Sequence, residues 1–203
     1  MKISNIKQQV KRPDRYSVYV DEKYTCSFSE RELLNLGLRV GQELSAEDLE
    51  ALKNDAVRDK AYDRSLNLIM RRPRSEWEIR DYLKRNQYDP EIIDDTVDHL
   101  NERGYLSDLD FAKRWVESRR LLKSTSKRRL NQELKQKRVS DDIISQVLEE
   151  DETDELEVLK DLVERKRKQL KYRDDLKLMQ YLSRQGFSYD QIKQAIEGRD
   201  LEY

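Results

Sequence analysis

The feature that most constrains this chain of 203 residues is an internal repeat with a period close to 50 residues. The segment Trp77–Leu83 aligns without a gap on Arg128–Leu134, 51 residues further along the chain. A second shift, of 48 residues, brings the two leucines of that second segment onto Leu178 and Leu182. Periods of this size are typical of stacked supersecondary units. The chain is therefore expected to form tandem units and not one large globule.

Helix-start signals recur at the same places in each copy. The aligned N-cap positions are Ser75, Ser126 and Asp174. Each copy then carries a hydrophobic staple, in which an apolar residue before an N-cap packs against another in the first turn of the helix. The staple pairs are Tyr88 with Ile93, Val139 with Ile144, and Phe187 with Ile192. With an amphipathic helix before each pair of signals, the pattern predicts three-helix repeats at residues 56–104, 105–150 and 154–198.

The first 28 residues have a different pattern, in which β-favouring residues alternate with others on both sides of the polar run 21–23. The alternating residues are Tyr16, Val18 and Val20, and then Tyr24, Cys26 and Phe28. This pattern predicts a β-hairpin, and residues 3–10 add a weaker third strand. Residues 1–55 are expected to form the hairpin plus short helices. The predicted fold class is mainly α, with a small β-rich N-terminal extension.

Composition excludes several classes of protein. Hydrophobic residues make up only 36% of the chain, which favours several small cores and an elongated molecule. No apolar run approaches the ~18 residues of a membrane span, and the N-terminus lacks the apolar stretch of a secretory signal. A single cysteine, Cys26, allows no intrachain disulfide and fits a reducing cytoplasm. We therefore expect a cytoplasmic protein that does not enter membranes.

The chemistry-bearing residues are too sparse for an enzyme. His99 is the single histidine, so the chain has almost no residues that could form a zinc site or a histidine-based catalytic pair. No glycine-rich nucleotide-binding loop is present. The acidic run 149–152 lacks the glycine turn and spacing of a calcium loop, and it is interpreted as a solvated linker. We expect no catalytic activity, no metal and no cofactor.

The charges are sorted into blocks. The chain has 41 Lys and Arg against 42 Asp and Glu. Residues 113–138 carry a net +9, residues 141–157 a net −9, and residues 160–173 a net +5. For any single residue a solvated helix face explains the charge equally well. For the whole 113–138 block we favour a binding role, because like charges repel unless a partner offsets them.

A second basic cluster surrounds the string Arg72–Ser75. Pro73 ends the preceding helix, and Ser75 with Glu78 forms a capping box. These roles do not explain the arginines at positions 71, 72 and 74, which become functional candidates. Trp77 and Trp115 lie beside apolar helix positions and are predicted to be buried.

Three strings together resemble a known family. Arg72–Ser75 followed by Glu78, Gly104–Asp108 with Phe111 and Ala112, and Arg129–Leu130 with Glu133 and Leu134 are similar to motifs of the bacterial RecX regulatory proteins. The resemblance extends from about residue 57 to residue 197. It implies three tandem three-helix repeats forming an elongated, curved molecule. It also implies a monomer that binds the RecA filament on single-stranded DNA and restrains RecA.

Under this resemblance the basic helices would face acidic protein surfaces, DNA phosphates, or both. The predicted contact residues for RecA and DNA are Arg71, Arg72, Arg74, Arg114, Arg120, Lys123, Lys127, Arg128, Arg129 and Lys135. The main alternative is a helical module that binds DNA directly, since three-helix units can place a helix in the major groove. A net charge of −1 argues against it. A generic helical adaptor is a third possibility.

One position departs from the family pattern. Gly186 of the third repeat aligns with Gln87 and Arg138, where family members often have glycine. If a positive φ is needed there, each substitution costs about 1 kcal/mol. Asn86 is an alternative left-handed residue in the first repeat.

Overall fold

The computed structural model describes residues 1–197, which contain three strands, ten α-helices and a short 3-10 helix at Leu170–Tyr172. The strands are β1 (Ile3–Gln8), β2 (Arg15–Val20) and β3 (Lys23–Ser29). The helices are α1 (Glu30–Asn35), α2 (Ala46–Arg71), α3 (Glu76–Arg85), α4 (Pro90–Glu102), α5 (Asp108–Leu122), α6 (Lys127–Gln136), α7 (Asp141–Glu149), α8 (Glu155–Arg167), α9 (Asp175–Arg184) and α10 (Tyr189–Glu197). The predicted end of the third repeat, residue 198, lies outside the described residues.

Two compact units divide the chain. The first holds residues 1–74 and 78–106, and the second holds residues 75–77 together with the chain from residue 107 onward. The first unit contains the sheet and most of the first repeat, whereas the second contains repeats two and three. The predicted fold class, mainly α with three three-helix repeats and a small N-terminal sheet, is confirmed.

The N-terminal sheet is antiparallel in the order β1-β2-β3. Asp21 and Glu22 have φ values of 46° and 64°, as a type I′ hairpin turn requires at both central residues. The turn is one residue shorter than the predicted polar loop, since Lys23 already pairs with Val20. One face of the sheet packs its buried apolar residues on the first half of α2.

Helix α2 is continuous across residues 55 and 56, where the sequence predicts a boundary. Leu52 and Ala56 belong to the core beneath the sheet, and Ala61 and Tyr62 belong to the core of the first repeat. A single 26-residue helix therefore joins the two cores.

A buried ionic group attaches the sheet to α2. Arg15 of β2 lies 3.0 Å from Asp59 through Nη2 and Oδ2, and both side chains are almost fully buried. The amide and hydroxyl of Ser29 also donate to the Asp59 carboxylate, at 2.8 and 2.6 Å. The amide of Ser29, which is the N-cap residue of α1, is thus bound by the Asp59 carboxylate. Asp63 forms a second contact with the guanidinium of Arg15.

The repeated core positions are confirmed. The aligned residues Ile79, Leu83, Leu130, Leu134, Leu178 and Leu182 are all fully buried. Each repeat has its own apolar cluster among the described residues. The period near 50 residues therefore reflects three small cores, as the low apolar content indicates.

The left-handed residue follows the second helix of every repeat. Gln87, Arg138 and Gly186 have φ values of 61°, 58° and 93°. Asn86 is not the left-handed residue of the first repeat. The residue after each left-handed position donates its amide to the second core leucine, as Tyr88 does to Leu83 at 3.2 Å. This is the helix-ending geometry for which glycine is usual.

A hydrogen bond recurs within the second unit at equivalent repeat positions. The hydroxyl of Ser126 donates to the carbonyl of Gln185 at 3.0 Å, and that of Ser75 donates to the carbonyl of Lys137 at 2.9 Å. The backbone amide of the next residue is also bound by a carboxylate in the first turn of the following repeat. The amide of Glu76 donates to the side chain of Asp108, and the amide of Lys127 donates to the side chain of Glu155.

The prediction that Trp77 is buried is wrong, since 42% of this residue is exposed. Trp77 lies two positions before Ile79, about 200° around the helix from the buried stripe. Trp115 is half-buried against the second core, and its indole N–H donates to Glu133 at 3.0 Å.

Candidate functional site

The two most highly charged blocks pair with each other inside the second unit. The three pairs are Lys113–Glu150, Arg120–Asp151 and Lys135–Asp141, with N–O distances of 2.9, 2.6 and 2.8 Å. The cations come from the +9 block and the carboxylates from the −9 block. The chain itself therefore relieves part of the repulsion that led us to expect an external partner.

Two predicted contact residues are engaged internally. Arg120 has a side chain only 11% exposed and donates through Nε and Nη2 to Asp151. Lys127 donates through Nζ to the carbonyls of Leu148 and Asp151, at 3.1 and 2.6 Å. Burial alone would raise the pKa of Asp151, but hydrogen bonds from Arg120 and Thr153 hold it below its usual range. Arg120 and Lys127 thus stabilise the connection between α7 and α8.

Four predicted cations are exposed and form no ion pair with residues 1–197. We call this set the open cations; they are Arg71, Arg114, Lys123 and Arg128. Arg138 has the same status but was not predicted as a contact, although it closes the +9 block. Each of these side chains can meet an external anion without first losing an internal carboxylate.

Two further predicted cations, whose own side chains are exposed, form ion pairs. Lys135 pairs with Asp141, and Arg129 lies 3.6 Å from Glu133 one helical turn away. Exposed pairs of this kind contribute about 0–1 kcal/mol. An external anion can therefore compete for Arg129 and Lys135 at low cost.

The arginines at the start of α3 converge on one carboxylate. Arg72 binds Glu78 with both terminal nitrogens, at 3.2 and 2.9 Å, and Arg74 lies 3.8 Å from the same group. Burial and the neighbouring Arg72 lower the pKa of Arg74. The Nε of Arg74 is buried and has no hydrogen-bond partner among the described residues. The excess of positive charge here makes this cluster a second anion-attracting region.

A basic cleft lies within the second unit, between the end of α5 and helices α8 and α9. It encloses about 470 Å³ and is lined by Leu122, Lys123, Ser124, Leu162, Arg165, Lys166, Gln169, Tyr181 and Gln185. We call it the third-repeat cleft. Only Lys123 among its three cations was predicted as a contact. The +5 charge of residues 160–173 was the signal that could have identified Arg165 and Lys166.

Other kinds of site find little support in the described part of the chain. Residues 1–197 contain no group of three or more His, Cys, Asp or Glu arranged to hold a metal ion. In the acidic run, Glu150 and Asp151 already bind Lys113 and Arg120. Among these residues no helix is both long and apolar enough to cross a membrane.

Family models match the chain in four consecutive segments. Residues 1–45 match the N-terminal domain of the regulatory protein RecX. The first, second and third three-helix domains of RecX match residues 61–100, 107–148 and 152–196. These matches follow the order of the sheet and of the three helical repeats.

Similar proteins carry the same description. The regulatory protein RecX of Bacillus subtilis is 30% identical over 99% of this chain and 77% of its own length. That of Listeria welshimeri is 36% identical over 74% of this chain, and the chain spans only 56% of the length of this relative. A crystal structure of a regulatory protein RecX superposes with a TM-score of 0.71 at 27% identity, covering 97% of this chain and 98% of that chain. RecX from Lactobacillus salivarius shares the fold, with a TM-score of 0.61 at 23% identity, over 71% of this chain and 97% of that chain.

Proposed function

Because this chain belongs to the RecX regulatory protein family, we propose that it binds the RecA filament on single-stranded DNA and restrains RecA. The restrained activities are ATP hydrolysis, strand exchange and co-protease function. The observation that carries the proposal is the family match along the chain, in which four RecX domains follow one another in order. The protein acts by binding alone, as a monomer in the cytoplasm, without a catalytic step or a cofactor.

The open cations supply the binding chemistry. A cation with no internal partner loses only hydration when it meets a phosphate or carboxylate, whereas a paired one also loses its ion pair. Arg114 and Arg128 lie on the first and second helices of the second repeat. We therefore assign the main contacts to these residues, with Arg71 and the Arg72 and Arg74 cluster as additional ones. Arg120 and Lys127 support the fold of this surface.

The decisive experiment measures ATP hydrolysis by RecA on single-stranded DNA while this protein is added at sub-stoichiometric ratios. We expect a slower rate at ratios well below one per RecA subunit, because one bound molecule affects several filament subunits. An unchanged rate at every ratio would refute the proposal. Bovine serum albumin at equal mass controls for non-specific effects.

Direct binding to DNA is the second candidate, because the open cations also suit bare phosphates. The comparison is between naked single-stranded DNA and RecA-coated DNA at about 0.15 M salt, where purely electrostatic binding to DNA is weakened. Preference for the coated DNA supports regulation of RecA. Preference for naked DNA supports the direct module, and binding to neither supports a helical adaptor.

A further inference from the structure

The third-repeat cleft combines three cations with no counter-charge. Lys123, Arg165 and Lys166 line it, and within residues 1–197 none of them forms an ion pair. No residue lining the cleft is acidic. This is unusual in a chain where carboxylates slightly outnumber cations. The cleft is therefore a local concentration of uncompensated positive charge.

The negative ends of nearby helix dipoles offset part of this positive charge. Helices α5, α8 and α9 end at Leu122, Arg167 and Arg184, next to or near the lining residues. Each helix C-terminus is equivalent to roughly −0.5 of an elementary charge, so three ends offset about half of the three cations. A net positive charge of about 1.5 remains for an external anion.

The polar groups of the cleft are already arranged. The guanidinium of Arg165 donates to the hydroxyl of Ser124 and to the carbonyl of Asp161. The Nζ of Lys166 lies 4.7 Å from the ring centroid of Tyr181 and 5.6 Å from that of Tyr172. Two of the three cations are thus held in position before a ligand arrives, which reduces the entropy lost on binding.

An exposed leucine indicates the nature of the ligand. Leu122 lines the cleft and is 75% exposed. A phosphate backbone offers nothing to this side chain. Single-stranded nucleic acid would instead need aromatic faces for its bases. The ring of Tyr181 is covered by Lys166 on one side and packs against Tyr172 at 5.1 Å.

We propose that the third-repeat cleft is a docking site for an acidic protein segment that also carries leucine or a similar apolar side chain. The carboxylates meet Lys123, Arg165 and Lys166, and an apolar side chain packs on Leu122. The inference deepens the proposed function, and it rests on that function only for the identity of the partner.

The test uses a fluorescein-labelled twelve-residue peptide, Glu-Glu-Leu-Glu-Asp-Leu written twice, and the full chain at about 0.15 M salt. Binding is followed by fluorescence anisotropy. We expect saturable binding that the double variant K123E/R165E weakens at least tenfold. The matched control K160E/K177E makes the same charge change at exposed third-repeat lysines outside the cleft, and it should alter the affinity less than threefold.

Three further probes separate the explanations. A peptide with Ser in place of Leu, and the variant L122S, should each bind several-fold more weakly. An oligothymidylate of twelve nucleotides should lose no more affinity in K123E/R165E than in the K160E/K177E control. If the oligonucleotide, and not the peptide, depends on the cleft, the site is a nucleic-acid site and the proposal fails. Equal losses in the cleft variant and the K160E/K177E control would also overturn it, since binding would then be unspecific. Circular dichroism confirms that each variant is folded.

The two proposals fail in different ways. If the peptide binds at the cleft but the chain leaves RecA hydrolysis unchanged, the docking site stands and regulation of RecA does not. If the chain slows RecA but the peptide does not bind, regulation of RecA stands and the docking site does not.

Discussion

The hydroxyl of Ser126 donates a 3.0 Å hydrogen bond to the carbonyl of Gln185, and so the cap of one repeat also binds the helix end of the next. The same oxygen accepts the amide of Arg129 at 3.1 Å, which makes Ser126 the N-cap of α6. Ser126, a residue only 1% exposed, therefore makes a local hydrogen bond and a long-range one with the same hydroxyl.

Replacing Ser126 with alanine should destabilise the second unit by about 2–3 kcal/mol, because both a cap and a buried hydrogen bond are lost. The matched control is Ser140→Ala at the exposed N-cap of α7, where about 1 kcal/mol is expected. Hydrogen exchange of α9 amides measures the difference. Equal losses in the two variants would show that the bond to Gln185 adds nothing.

Gly186→Ala should be more harmful than Gly104→Ala, although both glycines have positive φ. A Cβ at Gly186 would lie 2.3 Å from the Ser126 hydroxyl, whereas one at Gly104 would meet nothing within 4 Å. We expect about 1–2 kcal/mol from backbone strain at Gly104 and a larger loss at Gly186. Urea unfolding measures both. Adding Ser126→Ala to Gly186→Ala should recover part of the loss, and strict additivity would disprove the clash.

The Asp59 carboxylate should be essential for attaching the sheet to α2. Asp59→Ala leaves Arg15 buried without its fully buried carboxylate partner, and a loss of about 3–5 kcal/mol is expected. Asp95→Ala removes an exposed pair with Arg58 in the same unit and should cost less than about 1 kcal/mol. The free energies come from chemical unfolding. Similar values for the two variants would contradict a buried ionic attachment.

Ionisation of Asp151 should make the free energy of unfolding depend on pH in the acid range. Its folded pKa is lowered, so its contribution is present above the ordinary carboxyl pKa of about 3.9 and is lost as pH falls through the folded value. Asp151→Asn should therefore destabilise the second unit at pH 7, and the loss should shrink as pH falls through the folded pKa and the carboxyl becomes protonated. Thermal unfolding across this range measures it, with exposed Glu152→Gln as the control. A loss independent of pH would rule out the ionised pair as its source.

Charge reversal at the open cations should weaken filament binding more than reversal elsewhere. The double variant R114E/R128E should reduce affinity for RecA-coated DNA by at least tenfold, because these side chains face no internal carboxylate. The K160E/K177E variant is the control for total charge. Co-sedimentation measures binding. If R114E/R128E binds with unchanged affinity, the contact is instead made by the cluster of Arg71, Arg72 and Arg74.

The sequence alone determined the elements and the core of each repeat. Caps such as Ser126 and Ser140, and buried leucines such as Leu130 and Leu134, depend on neighbours within one or two helical turns. Local hydrogen bonding and the 3.6-residue period are sufficient to identify them. The predicted burial of Trp77 is wrong, because a residue next to an apolar position in the sequence does not lie on the same face of the helix.

Only the tertiary structure decided which cations are available for binding. Arg120 and Arg128 belong to the same basic block, yet Arg120 is bound to Asp151, 31 residues away, while Arg128 is open. The third-repeat cleft likewise brings together Lys123, at the end of α5, and Arg165 of α8. Such pairings depend on how helices pack, because Coulomb interactions act between groups close in space whatever their separation along the chain. Charge counts therefore located the basic regions, and packing selected the residues in them that can meet a partner.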